Sequence, residues 1–340
     1  MNFLVLSFIL SVSSYANAYE HVKVNTDSLE KYCETSEAKV KEFESSMEHN
    51  GRVQITKRTR NKRARYKNYR GCHMDTPLIK QSYEALCLSK DPSLLDKIQV
   101  PKMILWHFTG AAFFNARPAT ESYSPVNIKG YEGRELIIGS SQGIEQLDTV
   151  FLRNPALLNR KEVEFHYQAG SGMHSKENYE SAIACAVQTK DNLDFINSYR
   201  AIPVNPKWVI TGFSNGATTA VTFQNYLPEL GISIDHAILI DPVAKVHKYL
   251  FDGKNEFISE RHPDTKYMEV YYQKYDRKSL PGLKLRGKPI VGADINIEIP
   301  KESFGKDHEG NDLSDYGHIQ IYITKEVKMG FRNLVDKFLN

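Results

Sequence analysis

Hydrophobic and polar positions change their period near residue 101. Before it, apolar residues recur at intervals of three and four, which predicts helices over 27–50 and from Thr76 onward. After it, short apolar runs alternate with helical stretches, the pattern typical of an α/β sheet. The predicted strands are 102–108, 135–138, 163–167, one that begins at Trp208, 236–240, 268–272 and 294–299. Helices are predicted over 175–199 and 325–339.

Local start and stop signals support the two early helices. Asp27 and Glu30 have the spacing of a capping box, and Asn50-Gly51 ends the apolar pattern. Thr76-Pro77 places a proline in the first turn of the second helix, where its missing N–H costs nothing. The chain therefore divides into a helical segment over 19–100 and an α/β domain over 101–340.

The strand that begins at Trp208 runs into a serine bounded by glycines. The sequence Gly212-Phe213-Ser214-Asn215-Gly216 is followed by small residues. A nucleophile elbow needs this composition, because a sharp strand-to-helix turn leaves no room for larger side chains. Such a turn holds the Ser214 hydroxyl at a helix N-terminus and directs the Asn215 N–H toward the oxygen of an attacked carbonyl. Ser214 is the predicted nucleophile and Asn215 one predicted oxyanion donor.

A second stretch, 139–143, fits the same five-residue pattern around Ser141. It follows too little predicted sheet to lie centrally, and Ile144-Glu145-Gln146 after it are too large to pack beneath an elbow. The context favours Ser214. The remaining alternative is a glycine-bounded turn with an inert serine.

A serine nucleophile needs an imidazole base and a carboxylate that orients the imidazole. The histidines after Ser214 are His236, His247, His262, His308 and His318. His318 lies after the last predicted strand and before the terminal helix, so it can reach back over the elbow. His308 is the second candidate. His236 comes before the apolar run of its strand, on the side away from the expected site.

Two aspartates can supply the orienting carboxylate. Asp241 ends the strand that follows the elbow, and Asp276 follows the next strand. Pro242 stiffens the chain directly after Asp241. Asp241 is therefore the preferred orienting acid, and Asp276 is the alternative.

A second oxyanion donor is expected in the loop after the first strand, from the backbone N–H of Gly110 or Ala111. The acidic residues between 307 and 315 lack the glycine position of an EF-hand, which favours a solvated loop over a calcium site. The chemistry of a serine hydrolase requires no metal and no cofactor.

The first 18 residues have the pattern of a secretory signal peptide, with an apolar run and an Ala-x-Ala motif ending at Ala18. They predict a secreted or periplasmic protein. An exported protein meets an oxidising compartment, in which cysteines can pair. The chain has an even number of them: Cys33, Cys72, Cys87 and Cys185. Up to two disulfides are expected, with the pairing open and buried thiols at Cys87 and Cys185 as the alternative.

The stretch 52–70 is the most basic part of the chain and contains no acidic residue. It can dock on anionic lipid headgroups or another polyanion, or it can be a solvated loop. Nucleic acid is not expected as a partner, because no stacking-aromatic pattern or known binding module accompanies the charge.

The chain over about 101–340 resembles the α/β-hydrolase superfamily. The features that carry this resemblance are the elbow around Ser214, the chain order of serine, then aspartate, then histidine, and the helix that follows His318. Ile240-Asp241-Pro242 is also similar to the strand-end Asp-Pro of pancreatic-type lipases. That resemblance implies a mostly parallel sheet flanked by helices, and a triad of Ser214, His318 and Asp241. The sequence Phe108-Thr109-Gly110-Ala111 departs from the His-Gly type of oxyanion loop, and residues 19–100 match no known pattern.

These features predict an exported serine hydrolase that acts on carboxylic esters, with lipid or acyl esters as the favoured class. Thioesterase, peptidase and polymer depolymerase activities are alternatives on the same fold, because the acyl pocket rather than the fold selects the substrate. A non-catalytic scaffold that binds through 52–70 is the alternative of another class.

Overall fold

The structure is a computed structural model. It describes residues 24–50, 76–108, 121–125, 135–139, 162–168, 175–243, 260–278, 285–306, 310, 312–321 and 324–340. In these ranges, six parallel strands form one sheet in the order β4-β1-β5-β6-β7-β8. They are β1 (Met103–Phe108), β4 (Val163–Gln168), β5 (Lys207–Phe213), β6 (His236–Ile240), β7 (Met268–Tyr272) and β8 (Ile295–Glu298).

A separate pair of antiparallel strands contains β2 (Glu121–Pro125) and β3 (Glu135–Gly139). The strand expected at 135–138 therefore forms, but it pairs with β2 outside the parallel sheet. The sequence pattern could not show this, because a short apolar run does not specify its partner.

The helices agree closely with the apolar periodicity. They are α1 (Leu29–Asn50), α2 (Thr76–Tyr83), α3 (Ser175–Asn197), α4 (Asn215–Tyr226), α5 (Gly317–Gln320) and α6 (Lys325–Phe338). The start of α1 differs from the expected capping box. The Ser28 hydroxyl accepts the Lys31 N–H at 3.2 Å, while Asp27 forms an exposed ion pair with Lys31.

Hydrophobic residues fill both faces of the sheet. On one face, alternate residues of the strands, such as Ile104 and Ile210, pack against α3 and α4. On the other face, their neighbours, such as Leu105 and Val209, pack against Phe331 and other residues of α6. A sheet buried on both faces explains why its strands read as continuous apolar runs. The predicted α/β fold class, with a mostly parallel sheet flanked by helices and preceded by helices at the N-terminal side, is confirmed.

The N-terminal helices share the core of the sheet domain. Tyr32 of α1 is fully buried, and its ring stacks on Phe195 of α3 with centroids 4.3 Å apart. Leu78 and Ile79 of α2 belong to the same buried cluster as the strand residues. This part of the 19–100 segment therefore packs as an additional layer on the sheet domain.

A disulfide between Cys33 and Cys87 joins α1 to the π-helical turn Glu84–Leu88 that follows α2. One of the expected disulfides thus forms, and Cys87 is not a buried thiol. Cys72 and the side chain of Cys185 lie outside the described residues.

Removal of this disulfide is expected to destabilise the fold. The bond closes a loop with a sequence separation of 54 residues, so Cys33→Ser should lower the free energy of unfolding by about 2–4 kcal/mol. Chemical denaturation of the oxidised wild type and the variant measures the difference. Reduction of the wild type should cause at least a similar loss. Equal stability of all forms would show that the loop is held by packing alone.

Several predictions fall outside the described residues. They are the signal peptide at 1–18, the basic stretch 52–70, the oxyanion residues Gly110 and Ala111, and the alternatives Ser141 and His308. Within the described ranges, no helix has the length and apolar character needed to cross a membrane.

Candidate active site

The elbow around Ser214 forms as a tight turn between β5 and α4. Ser214 has φ 56° and ψ −125°, a backbone conformation that residues other than glycine rarely adopt. A Cβ atom on Gly212 would lie 2.7 Å from Ala217 Cα, so only glycine allows the helix to approach the strand this closely. Asn215 is the first residue of α4. The turn therefore holds the Ser214 side chain at the carboxyl end of β5.

Neighbouring strands bring an acid to the same edge of the sheet. Phe213 at the end of β5 is in register with Ile240 at the end of β6, and Ile240 with Tyr271 in β7. Because the strands are parallel, the residues that follow them lie side by side. The Ser214 N–H donates to Ile240 O at 2.8 Å, which ties the elbow to the end of β6. Asp241 is the next residue.

Ser214, His318 and Asp241 form a continuous line of hydrogen bonds. His318 Nε2 lies 2.8 Å from Ser214 Oγ, and His318 Nδ1 lies 2.5 Å from Asp241 Oδ2. Ser214 and His318 are each 4% exposed, and Asp241 is fully buried. An aspartate oxygen accepts at Nδ1, so the imidazole carries its proton there and Nε2 can accept the serine proton. This is the geometry of an activated serine.

The loop that carries His318 is held by the second candidate acid. Asp276 Oδ2 accepts the backbone N–H of His318 at 3.0 Å, so Asp276 contacts the main chain and Asp241 contacts the ring. The His318 ring also packs against Phe213, with centroids 4.8 Å apart. The structure thus brings Asp241, the preferred acid, to the His318 ring and Asp276, the alternative, to the His318 main chain.

Further contacts join the His318 loop to the segment after β7. The backbone N–H groups of Arg277 and Lys278 both donate to Asp315 O at 2.8 Å. Lys278 Nζ also pairs with the Asp315 carboxylate at 2.8 Å. His318 is therefore anchored to the same loop that holds Asp276.

The Asp241 carboxylate accepts four hydrogen bonds. Its Oδ1 accepts the backbone N–H groups of Gln273 at 3.1 Å and Gly287 at 2.9 Å. Its Oδ2 accepts Gln273 Nε2 at 2.8 Å, in addition to His318. Asp241 itself has φ 46°, a second strained backbone conformation at this site. A buried carboxylate saturated by donors suits an ionised orienting acid.

Sequence reasoning missed two residues of this arrangement. Gln273 is the first residue after β7, a position that parallel topology brings to the site edge, so it could have been singled out. Gly287 has no such signal. A Cβ atom there would lie 2.0 Å from Asp241 Oδ1, which shows that glycine is required for the carboxylate to fit.

Two other buried histidines have partners elsewhere. His236, at the start of β6, lies 3.1 Å from Glu269 Oε1, and the Tyr271 hydroxyl donates to Glu269 Oε2 at 2.6 Å. His107 Nδ1 lies 2.9 Å from Thr211 Oγ1. Burial lowers the pKa of His107 to about 3, so its imidazole is neutral at physiological pH. Neither histidine makes a described contact with the Ser214 hydroxyl.

Among the described residues, no group of three or more His, Cys, Asp or Glu side chains is placed to hold a metal ion. Two members of the acidic stretch near the terminal helix form ion pairs. Asp312 pairs with Lys301 at 2.7 Å, and Asp315 pairs with Lys278.

No known protein-family model matches the chain, and no curated protein matches it. Among solved structures, it is similar to the RedJ thioesterase of the prodiginine biosynthetic pathway of Streptomyces coelicolor. The identity is 11% over 59% of this chain and 78% of that one, with a TM-score of 0.28. An uncharacterized protein from Pseudomonas aeruginosa is 13% identical, with a TM-score of 0.29. That match covers 74% of this chain and 48% of the other, so this chain spans about half of that protein's length.

Proposed function

We propose that the protein is an exported serine hydrolase that cleaves carboxylic esters, with lipid or other acyl esters as its substrate class. One observation carries this proposal. Ser214 Oγ, both nitrogens of the His318 ring and the Asp241 carboxylate lie in one line of hydrogen bonds of 2.8 and 2.5 Å. A buried serine has no structural need for a histidine oriented in this way, whereas a nucleophile requires one.

In the first step, Ser214 Oγ attacks the acyl carbon and His318 Nε2 takes the hydroxyl proton. The ring then carries protons on both nitrogens, and the Asp241 carboxylate stabilises that charge without taking the proton. The N–H of Asn215, at the positive end of α4, is the proposed donor to the carbonyl oxygen as it becomes negative. Gly110 or Ala111 is the proposed second donor.

In the second step, His318 Nε2 gives its proton to the leaving alcohol, and the acyl group remains on Ser214. Water then attacks the acyl carbon while His318 Nε2 takes one of its protons, and His318 returns that proton to Ser214 Oγ as the bond between Oγ and the acyl carbon breaks and the carboxylic acid leaves. The net reaction is therefore ester plus water to alcohol plus carboxylic acid, and Ser214 and His318 end in their starting protonation states. No cofactor enters the reaction.

Two features support the export and the lipid preference. The Cys33–Cys87 disulfide is typical of proteins that mature in an oxidising compartment, in agreement with a signal peptide at 1–18. The basic charge of the stretch 52–70 suits attachment to an anionic membrane surface or another polyanion. We propose this stretch as the docking element and the ester as the reacting ligand.

Labelling with a fluorophosphonate tests the proposed chemistry, because the reagent forms a covalent bond only with an activated serine. Mature wild-type protein should be labelled, Ser214→Ala should not, and His318→Ala should react far more slowly. Ser141→Ala is the matched control, since it removes the other glycine-bounded serine, and it should be labelled like the wild type.

A panel of chromogenic esters, thioesters and peptide anilides then tests the substrate class. The proposal expects the highest kcat/KM for esters, and an advantage for longer acyl chains. A higher kcat/KM for thioesters or for peptide anilides would contradict esters as the substrate class and assign that other class instead. Failure of the folded wild type to react with the fluorophosphonate would contradict the hydrolase and favour a binding scaffold.

A further inference from the structure

Gln273 occupies the centre of the hydrogen bonds behind the triad. It is the first residue after β7 and is fully buried. Its side-chain amide makes four contacts, which is the full capacity of two N–H donors and one carbonyl oxygen. Nε2 donates to Asp241 Oδ2 at 2.8 Å and to Leu285 O at 2.7 Å. Oε1 accepts the backbone N–H groups of Tyr275 and Asp276, each at 2.8 Å.

The amide has only one workable orientation. If it were reversed, its NH2 group would face the N–H groups of Tyr275 and Asp276, and its oxygen would face the Asp241 carboxylate. Both contacts would be repulsive in a buried site. The fixed amide therefore points a donor at Asp241 whenever the loop after β7 is in place.

The same side chain connects the two carboxylates around His318. Through Nε2 it holds Asp241, which contacts the His318 ring, and through Oε1 it holds the N–H of Asp276, whose carboxylate binds the His318 main chain. Gly317 leaves room for this contact, since a Cβ atom there would lie 2.8 Å from Gln273 Oε1. A shift of Gln273 would thus move the ring partner and the backbone partner of His318 together.

We infer that Gln273 is a positioning residue that keeps the Asp241–His318 hydrogen bond aligned toward Ser214. This inference rests on the proposed function for its effect on catalysis. Its effect on the His318 ring proton does not depend on any substrate. Gln273 touches neither Ser214 nor the reacting atoms, so it acts only through Asp241 and the His318 loop.

The test uses Gln273→Leu and the nearly isosteric Gln273→Glu. The leucine variant removes the donor to Asp241, and the rate of fluorophosphonate labelling should fall about 10- to 100-fold, by analogy with the loss of the hydrogen-bond partners that orient histidine and carboxylate ligands in metal sites. In the glutamate variant, two carboxyl groups meet at Asp241 Oδ2 and must share a proton. At alkaline pH that shared proton is lost and the two carboxylates repel each other, so the labelling rate of the variant should decline. The wild-type rate should stay high there, because general-base catalysis needs a neutral imidazole.

The matched controls are Gln224→Leu and Gln224→Glu. Gln224 is also a buried glutamine, and its Oε1 accepts the Thr265 hydroxyl at 2.9 Å in the segment before β7, away from the site edge. These variants should keep the wild-type labelling rate and its pH profile even if they lower the thermal stability. Equal losses in the Gln224 and Gln273 variants would indicate a general packing effect and overturn the inference.

A second measurement does not require activity. The low-field proton NMR resonance of His318 Nδ1–H, assigned by its loss in His318→Ala, should shift and exchange faster with water in Gln273→Leu. An unchanged resonance together with unchanged labelling would overturn the positioning role. A changed resonance in a protein that never reacts with fluorophosphonate would support the positioning role and contradict the hydrolase function instead.

Discussion

Replacement of Asp241 by asparagine is expected to lower kcat/KM for ester hydrolysis about 10⁴-fold, the loss typical of a triad that holds its histidine in the wrong tautomer. All four groups around the Asp241 carboxylate are donors. An asparagine has one acceptor oxygen, which the backbone N–H groups of Gln273 and Gly287 would bind. Its NH2 group would then face His318 Nδ1, so the ring proton would move to Nε2. A protonated Nε2 cannot accept the proton of the Ser214 hydroxyl.

Asp276→Asn is the matched comparison for this prediction. Asp276 accepts the His318 main-chain N–H, and an asparagine carbonyl oxygen can accept the same bond. Its kcat/KM should therefore fall less than about tenfold, in line with the modest net value of one hydrogen bond. Steady-state kinetics on both variants, with circular dichroism to verify folding, gives the comparison. A larger loss in Asp276→Asn than in Asp241→Asn would make Asp276 the orienting acid.

Gly287→Ala is expected to have the second largest effect, although no reacting atom touches this residue. The added Cβ would lie 2.0 Å from Asp241 Oδ1 and 2.8 Å from Asp241 Cα. Asp241 has a strained backbone and four hydrogen bonds, so it cannot move without disturbing His318. We expect kcat/KM to fall at least about 10²-fold through this misplacement. Overpacking should also lower the free energy of unfolding by about 1–3 kcal/mol.

Gly292→Ala provides the control for adding a methyl group in the same part of the chain. Gly292 has φ +77°, and its nearest neighbour, Arg261 Cβ, would be 3.6 Å from the new carbon. The backbone strain should cost about 1–2 kcal/mol of stability, while kcat/KM should stay at the wild-type value. If Gly287→Ala keeps full activity, the close approach of the segment 285–290 to Asp241 does not govern the triad.

The elements of the fold were predictable because each depends on residues close together in the chain. The apolar run of β5 and the small residues after Ser214 specify the strand, the turn and the helix α4 without any distant partner. The same holds for α6, whose apolar stripe faces the sheet. The antiparallel pair of β2 and β3 was missed, because β2 is a short polar strand, Glu-Ser-Tyr-Ser-Pro, with little apolar character.

The sequence also led to the members of the candidate site. Parallel topology places the residues after β5 and β6 at one edge, so Ser214 and Asp241 follow from strand order. The position of His318 before the terminal helix follows from the order of the elements. Asp276 remained the alternative acid, since its strand reaches the same edge.

Tertiary structure decided which groups touch. Asp241 and His318 are 77 residues apart, Asp241 and Gly287 are 46 apart, and Asp241 and Gln273 are 32 apart. The paths of the intervening loops set these contacts, and loop paths leave no periodic signal. The pairing of Cys33 with Cys87 was decided in the same way, by the packing of α1 against α2. The sequence by itself therefore determined the α/β fold class and the candidate residues Ser214, Asp241 and His318, whereas the contacts that Asp241, Asp276 and Gln273 make around His318 depend on hydrogen bonds that exist only in the folded chain.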